Sequence, residues 1–522
     1  MPADSKTFYI TTAIAYVNGL PHLGHAYEVI ATDVMARFKR LDGYDVYFLT
    51  GTDEHGQKVA KSAAAAGKEP KAFCDEISEH FKRMDALLNI SYDQFIRTTE
   101  PRHYLSSQAI WKRIADAGDI YLGKYAGWYS TRDEAFFDES ELTDSPGGKK
   151  LAPSGAEVEW VEEPSYFFKL SAYTQPLLDY YEKHPDFIQP SFRRNEVVSF
   201  VKQGLKDLSV SRTTFKWGVP VPGDPAHIMY VWLDALTNYI TGVGFPDEGG
   251  DFAKYWPADL HVIGKDIVRF HAVYWPAFLM SAKIPLPKRV FGHGFLNVEG
   301  AKMSKSLGNV LSPQAMVDEF GLDQLRYFLL REVPFGSDGS FDRAQIINRI
   351  NGELANDLGN LAQRVLSMVG RYCQHKAPAI ADRTADDDTL LARAHGLIAA
   401  MRPQMDVQAF HEALETVWIV VRAANGYVDQ QAPWKLSREN PERMKTVLAV
   451  LIETIRHLGL ALQPFMPQAS SALLDQLAVP KDARSFAFAG PAHAVPGETA
   501  LPAPQGIFPR HVEKEDDDKA GM

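Results

Sequence analysis

The 522 residues predict an α/β protein: a doubly wound parallel sheet, a segment inserted into it, and an α-helical bundle after it. Three observations carry that expectation. Strand-like and helix-like runs alternate over the first ~115 residues and resume after about residue 226. The stretch between them is rich in aromatics, Pro and Gly, as short strands and turns require. Beyond Asp342, apolar residues recur at helical spacing.

Taken in order, residues 8–12 predict a strand and 24–41 a helix ended by Gly43; 45–49 form the next strand, and an Ala-rich helix over 58–66 stops at Gly67. This is one half of a Rossmann-like nucleotide fold, whose ligands belong at the carboxyl ends of its strands. Residues 118–225, with Trp128, Trp160 and Trp217, are expected to stand as an insertion between the halves. The βα pattern returns with strands at 227–233, 260–264 and 289–292 and a helix over 267–281. Helices at 348–372, 388–401, 408–430 and 443–462 predict a bundle. The expected domains are 1–117 and 226–300 for the two halves of the nucleotide fold, 118–225 for the insertion, 301–342 for a Lys-rich loop and stem-contact region, and 343–478 for the bundle. Residues 479–522, rich in Ala, Pro and Gly and ending in an acidic run, are expected to be a loosely ordered extension.

Apolar content of 45% and charged content of 23% are those of a soluble globular protein. The longest candidate membrane segment, 446–466, is broken by Glu453, Arg456 and His457. No signal-peptide pattern precedes the first strand, and two isolated cysteines, Cys74 and Cys373, suit a reducing cytoplasm and no disulfide. The net charge of −11 argues against nucleic-acid binding through overall charge. Residues 343–376 nevertheless carry five Lys/Arg against two acids, a local surplus that phosphates could meet.

Two motifs carry chemistry. His22-Leu23-Gly24-His25 opens the helix after the first strand, where unpaired N–H groups and the helix dipole favour phosphate, the two rings can donate to it, and Gly24 lets it approach the backbone. Lys302-Met303-Ser304-Lys305-Ser306, bounded by Gly300 and Gly308, offers point charges suited to a triphosphate. No Walker-type G-x-x-x-x-G-K-[ST] is present, so a P-loop is excluded. Asp53, after the second strand, can cap a helix or anchor an ammonium group. Asp266, just past Gly264 at a strand end, can cap a helix or accept ribose hydroxyls. Trp232, Tyr239, His271 and Trp275 can be core or can line a pocket. Asn356, Asn360 and Arg364 recur every four residues, and Pro433-Trp434 follows in an interhelical loop; these form a solvated face or read single-stranded RNA by stacking and edge hydrogen bonds.

The paired motifs, in this order on an alternating β/α chain, resemble those of the class I aminoacyl-tRNA synthetases, and the longer run from Thr11 to His25 resembles the methionyl branch. The resemblance reaches to about residue 475. It implies adenylate formation from L-methionine and ATP, with Mg²⁺ accompanying the ATP, and transfer to methionine tRNA, initiator and elongator. It further implies that His22, Gly24, His25, Gly264, Asp266, Lys302, Ser304 and Lys305 handle ATP, with His22, His25, Lys302 and Lys305 catalytic. Methionine would be held by Ile14, Tyr16, Asp53, Trp232, Leu236, Tyr239, Ile267, His271 and Trp275, and the anticodon by Asn356, Asn360, Arg364, Pro433 and Trp434. Many relatives carry a four-cysteine zinc knuckle in the insertion; here the insertion has no cysteine, and no structural zinc is expected. No further C-terminal domain follows, which favours a monomer in the cytoplasm with no membrane partner. The alternatives are another class I synthetase or a small-molecule nucleotidyltransferase of the same superfamily.

Overall fold

The computed structural model describes residues 6–133, 135–145, 148–298, 301–302 and 310–512. The chain divides into two compact units. One is built from Thr7–Thr32 and Val46–Gly294, the other from Met1–Lys6, Asp33–Asp45 and Phe295–Met522.

A seven-stranded sheet organises the first unit. Its spatial order is Ile188–Gln189, Val290–His293, Leu260–Gly264, Thr7–Thr12 and Asp45–Asp53, and the last of these also pairs with Ala15–Tyr16 and Gln94–Arg97. Pairing is parallel from Ile188–Gln189 across to Thr7–Thr12, and again between Asp45–Asp53 and both of its outer partners. Val290–His293 and Leu260–Gly264 are buried throughout, as in a parallel sheet covered on both faces. A Cβ on Gly51 would lie 2.0 Å from the Ile96 carbonyl oxygen, so the strands at 45–53 and 94–97 pair this closely only because a glycine stands there. From Thr7–Thr12 the chain moves to Asp45–Asp53 on one side and later returns through Leu260–Gly264 on the other. Such a switch point opens a crevice at the carboxyl ends of its strands.

Two expectations are corrected in this unit. The segment 118–225 does not stand apart as a whole: in its first part Ile120–Ser130 and Glu159–Phe168 pair antiparallel from Ile120↔Phe168 to Tyr129↔Glu159, and Phe168 already lies in the main hydrophobic core. Its later part rejoins the main fold: Ile188–Gln189 is the sheet's edge strand, and Leu177, Tyr181, Val197 and Val201 lie in the main hydrophobic core. Helices Thr174–Lys183 and Ser191–Lys202 carry these side chains, which composition alone could not assign to a partner. Second, no strand over 227–233 enters the parallel sheet. Asp224–Met229 pairs antiparallel with Ser211–Arg212 and Pro220–Val221, and a helix begins at Val231, where the Leu233 and Asp234 N–H groups turn back to the Tyr230 carbonyl.

In the second unit the chain runs through Arg343–Arg349, a π-helical stretch Ile350–Gly359 and Asn360–Cys373. The Asp342 carboxylate caps the first of these, accepting from the Ala344 and Gln345 N–H groups at 2.7 and 3.1 Å. Helices Ala385–Asp406, Phe410–Gln431, Pro433–Glu439, Pro441–Leu462 and Pro467–Gln476 follow. Pro441–Leu462 is buried from Thr446 to Leu462, which accounts for its apolar character. No helix among the described residues is long and apolar enough to cross a membrane. The region from 479, expected to be loose, is anchored as far as His511, whose N–H donates to Asn351 Oδ1 at 2.8 Å. Phe486, Leu501 and Phe508 are buried, and the Arg456 guanidinium donates to the Phe488 and Gly490 carbonyls at 2.8 and 3.0 Å. Widely spaced apolar anchors fix a segment whose average composition reads as disordered.

Candidate active site

Helix Leu23–Leu41 starts one residue after His22, and the two histidine rings close its start. Gly24 N–H donates to His22 Nδ1 at 3.1 Å, and His22 N–H donates to His25 Nδ1 at 3.2 Å. A ring nitrogen that accepts a hydrogen bond carries a lone pair, so in each neutral imidazole the proton sits on Nε2. The rings lie 4.0 Å apart, and the Phe81 ring meets His25 edge-on at 5.1 Å. The helix start thus adds two Nε2–H donors to the positive end of its dipole. Across the switch point, strand Leu260–Gly264 ends in a turn that carries the exposed Asp266. A Cβ on Gly264 would meet Asp266 Oδ1 at 2.7 Å, so the glycine makes room for that carboxylate.

Sequence reasoning passed over Glu28, on the same helix Leu23–Leu41, and His293, at the end of strand Val290–His293. Glu28 accepts from Ala13 N–H at 3.0 Å and from His293 Nε2 at 2.8 Å, while His293 Nδ1 donates to the Gly294 carbonyl at 2.8 Å. Burial alone would favour a neutral ring. The hydrogen bond and charge of Glu28 prevail and hold the His293 pKa above its usual value.

Asp53 ends its strand nearly buried, and its register partner is Tyr16, whose ring lies 5.3 Å from Lys58 Nζ. Trp232 stacks on Phe270 with centroids 3.6 Å apart and planes 7° from parallel. Tyr239 donates its hydroxyl hydrogen to His271 Nε2 at 2.7 Å, because His271 Nδ1 donates to the Ile267 carbonyl at 2.9 Å. Burial pushes His271 down to about 4 despite that hydrogen bond. Burial also raises the Tyr239 hydroxyl well above its ordinary value, and the charges of Glu28 and Asp53 add to the effect. Trp275 is fully buried 6.2 Å from Tyr239, beside buried Leu236. Ile14, Tyr16, Trp232 and Ile267 are half-buried against the same cluster. Ile14, Tyr16, Trp232, Leu236, Tyr239, Ile267 and Trp275 thus belong to or pack against one hydrophobic core, His271 is bonded to two of them, and Phe270 joins Trp232 there.

Lys302 lies on the short strand Ala301–Lys302, in register with Asn297; Ser304 and Lys305 lie outside the described residues. In the helical unit, Asn356 and Asn360 are exposed, and Asn356 accepts from Arg510 at 2.7 Å. Arg364 pairs with Asp429 at 2.9 Å and lies 5.8 Å over the Trp434 ring. Pro433 is buried and Trp434 is 40% exposed. Among the described residues, one group could hold a metal ion: His395, Glu453 and His457, with candidate ligand atoms within 4.8 Å of one another. It lies in the helical unit. Arg456 already grips the Glu453 carboxylate through two 2.8 Å bonds, and His457 Nδ1 donates to the Glu453 carbonyl at 2.9 Å, which describes a structural network.

The family model for class I tRNA synthetases (M) matches residues 8–366, and the model for the anticodon binding domain of methionyl tRNA ligase matches residues 377–520. The chain belongs to the methionyl-tRNA synthetase family. It is 58% identical over 513 residues to the methionine–tRNA ligase of Brucella suis, covering 98% of this chain and 99% of that one, and 56% identical over 513 residues to that of Rhizobium meliloti. The Mycobacterium tuberculosis methionyl-tRNA synthetase in complex with methionyl-adenylate superposes with a TM-score of 0.95 at 55% identity, over 97% of this chain and 100% of that chain. The apo form of that enzyme gives a TM-score of 0.90 at 50% identity, over 98% of this chain and 100% of that chain. The second family match takes in the packed tail.

Proposed function

We propose that this family member is a methionine–tRNA ligase that forms methionyl-adenylate from L-methionine and Mg·ATP and transfers methionyl to the 3′-terminal adenosine of methionine tRNA. The observation that carries the reading is the joint presence, at the carboxyl edge of one parallel sheet, of two Nε2–H donors on a helix start and an aromatic pocket closed by a neutral histidine. His22 and His25 donate to the ATP phosphates, which Gly24 lets approach the backbone; Gly264 and Asp266 hold the ribose; Asp53 takes the methionine ammonium. Ile14, Tyr16, Trp232, Leu236, Tyr239, Ile267, His271 and Trp275 enclose the side chain, and the polarisable thioether suits their aromatic faces. Because His271 stays neutral, the pocket puts no charge against that uncharged group.

The chemistry needs placement and charge stabilisation, with no enzyme nucleophile. A methionine carboxylate oxygen attacks the α-phosphorus, the bond to the bridging oxygen breaks, and pyrophosphate departs. His22, His25, Lys302, Ser304 and Lys305 take up the charge that develops on the phosphates. A ribose hydroxyl of the tRNA then attacks the aminoacyl carbonyl, and AMP leaves. Asn356, Asn360, Arg364, Pro433 and Trp434 form the anticodon face of the helical unit. The enzyme works as a cytoplasmic monomer.

Pyrophosphate exchange into ATP, run with each standard amino acid, tests the activity. Methionine is expected to stimulate exchange far above the rest, and better stimulation by any other amino acid would refute the proposal.

A further inference from the structure

Behind the pocket lies a fully buried polar cluster that the mechanism above does not use. Asp234 stands on helix Val231–Leu236, two residues after Trp232 and two before Leu236. Its Oδ2 is 2.7 Å from His55 Nδ1 and its Oδ1 is 2.7 Å from His103 Nε2. His55 follows Asp53 by two residues, and its Nε2 meets the Tyr104 hydroxyl at 3.0 Å. His103 Nδ1 lies 3.2 Å from Thr241 Oγ1, on helix Asn238–Thr241, which also carries Tyr239. Asp234 and His103 are 0% exposed and His55 is 1% exposed. A carboxylate buried at such cost persists only where its hydrogen bonds are complete, and complete networks fix the elements they join. Burial raises the Asp234 pKa, yet the two histidines bring it down to about 2, so it stays ionised.

We propose that Asp234 is a positioning residue for the amino-acid site: through His55 its carboxylate ties the strand end that carries Asp53 to the helix that carries Trp232. This rests on the reading of Asp53 as the ammonium anchor and Trp232 as a pocket wall. Those two residues grip opposite ends of one small molecule, so the distance between them decides how well it is held. The nucleotide residues His22, His25, Gly264 and Asp266 stand elsewhere, at the start of helix Leu23–Leu41 and the end of strand Leu260–Gly264. The strand end also has a second attachment that removal of Asp234 leaves in place. Arg97 pairs with the Glu54 carboxylate at 2.7 and 3.0 Å, and Trp217 donates to the Glu54 carbonyl at 2.6 Å.

The test uses the full-length enzyme and its Asp234→Asn, His55→Asn and double variants. Each is measured for methionine affinity by tryptophan fluorescence, for both KM values and kcat in pyrophosphate exchange, and for melting temperature. Either single substitution should weaken methionine binding by about tenfold or more while the KM for ATP stays within about twofold. The double variant should be no worse than the poorer single one, because both remove the same link. A lowered melting temperature with unchanged methionine affinity would overturn the proposal, as would equal losses for methionine and ATP. If Asp234→Asn fails to fold, His55→Asn decides by the same criteria. Absence of methionine-dependent exchange in the unaltered enzyme would bring down the functional reading as well, and so is told apart from failure of the link alone.

Discussion

His271 shows how one buried ring can tie pocket chemistry to stability. Its Nδ1–H is committed to the Ile267 carbonyl and its Nε2 lone pair to Tyr239, so a second ring proton would have no acceptor. Its pKa falls from 6.5 to about 4 on folding. Between those values the unfolded chain takes up a proton that the folded chain refuses. The penalty therefore grows as pH falls from 6.5 and levels off below the folded value. The full effect is on the order of 3 kcal/mol. Thermal unfolding followed from pH 7 to 4 should show a steeper loss of stability for the unaltered protein than for His271→Gln; equal slopes would show that the ring titrates normally. His293 contributes in the opposite sense. Its raised pKa gives stability that is present below 6.5 and lost as pH rises through the folded value.

At the scale of elements, strands and helices with strong local punctuation were legible. The strand Leu260–Gly264 and the helix Leu23–Leu41 fall where apolar runs and glycines put them. Ile188–Gln189 could not be read, because two residues show no periodicity and the pairing is decided by Val290 and Phe291 on a distant strand. The site divides in the same way. Residues in short motifs announced themselves, whereas His103, His293 and Glu28 are scattered and owe their significance to partners far along the chain. Asp234 and His55 lie two residues from Trp232 and Asp53, and the signal that could have found Asp234 was a charged residue inside an otherwise apolar helix start. The Lys302-to-Ser306 segment carries a prediction of its own. If Lys305 acts on charge that develops only as pyrophosphate leaves, Lys305→Ala should lower the rate of adenylate formation by a much larger factor than it weakens methionine binding. Single-turnover adenylate formation and methionine titration on one preparation separate the two, and equal losses would contradict the role.

For the molecule as a whole, the nucleotide residues of the crevice and the proposed anticodon residues belong to different compact units. Trp434 is the sharper probe of the second. It is 40% exposed, and Arg364 lies over its ring while keeping an ion pair with Asp429. An aromatic face left open beside a guanidinium suits a splayed base, and stacking on it contributes ~1–3 kcal/mol. Since ~1.4 kcal/mol is a factor of ten, Trp434→Ala should reduce charging of methionine tRNA by roughly ten- to a hundredfold while methionine-dependent pyrophosphate exchange stays near that of the unaltered enzyme. Asn360→Ala and Arg364→Ala should lose charging in the same selective way. If Trp434 serves only to pack its helix, the substitution lowers the melting temperature and leaves charging by the folded fraction intact. Exchange, charging and thermal unfolding measured on the same Trp434→Ala protein distinguish the two, and a normal charging rate from a stable protein would remove Trp434 from the anticodon face.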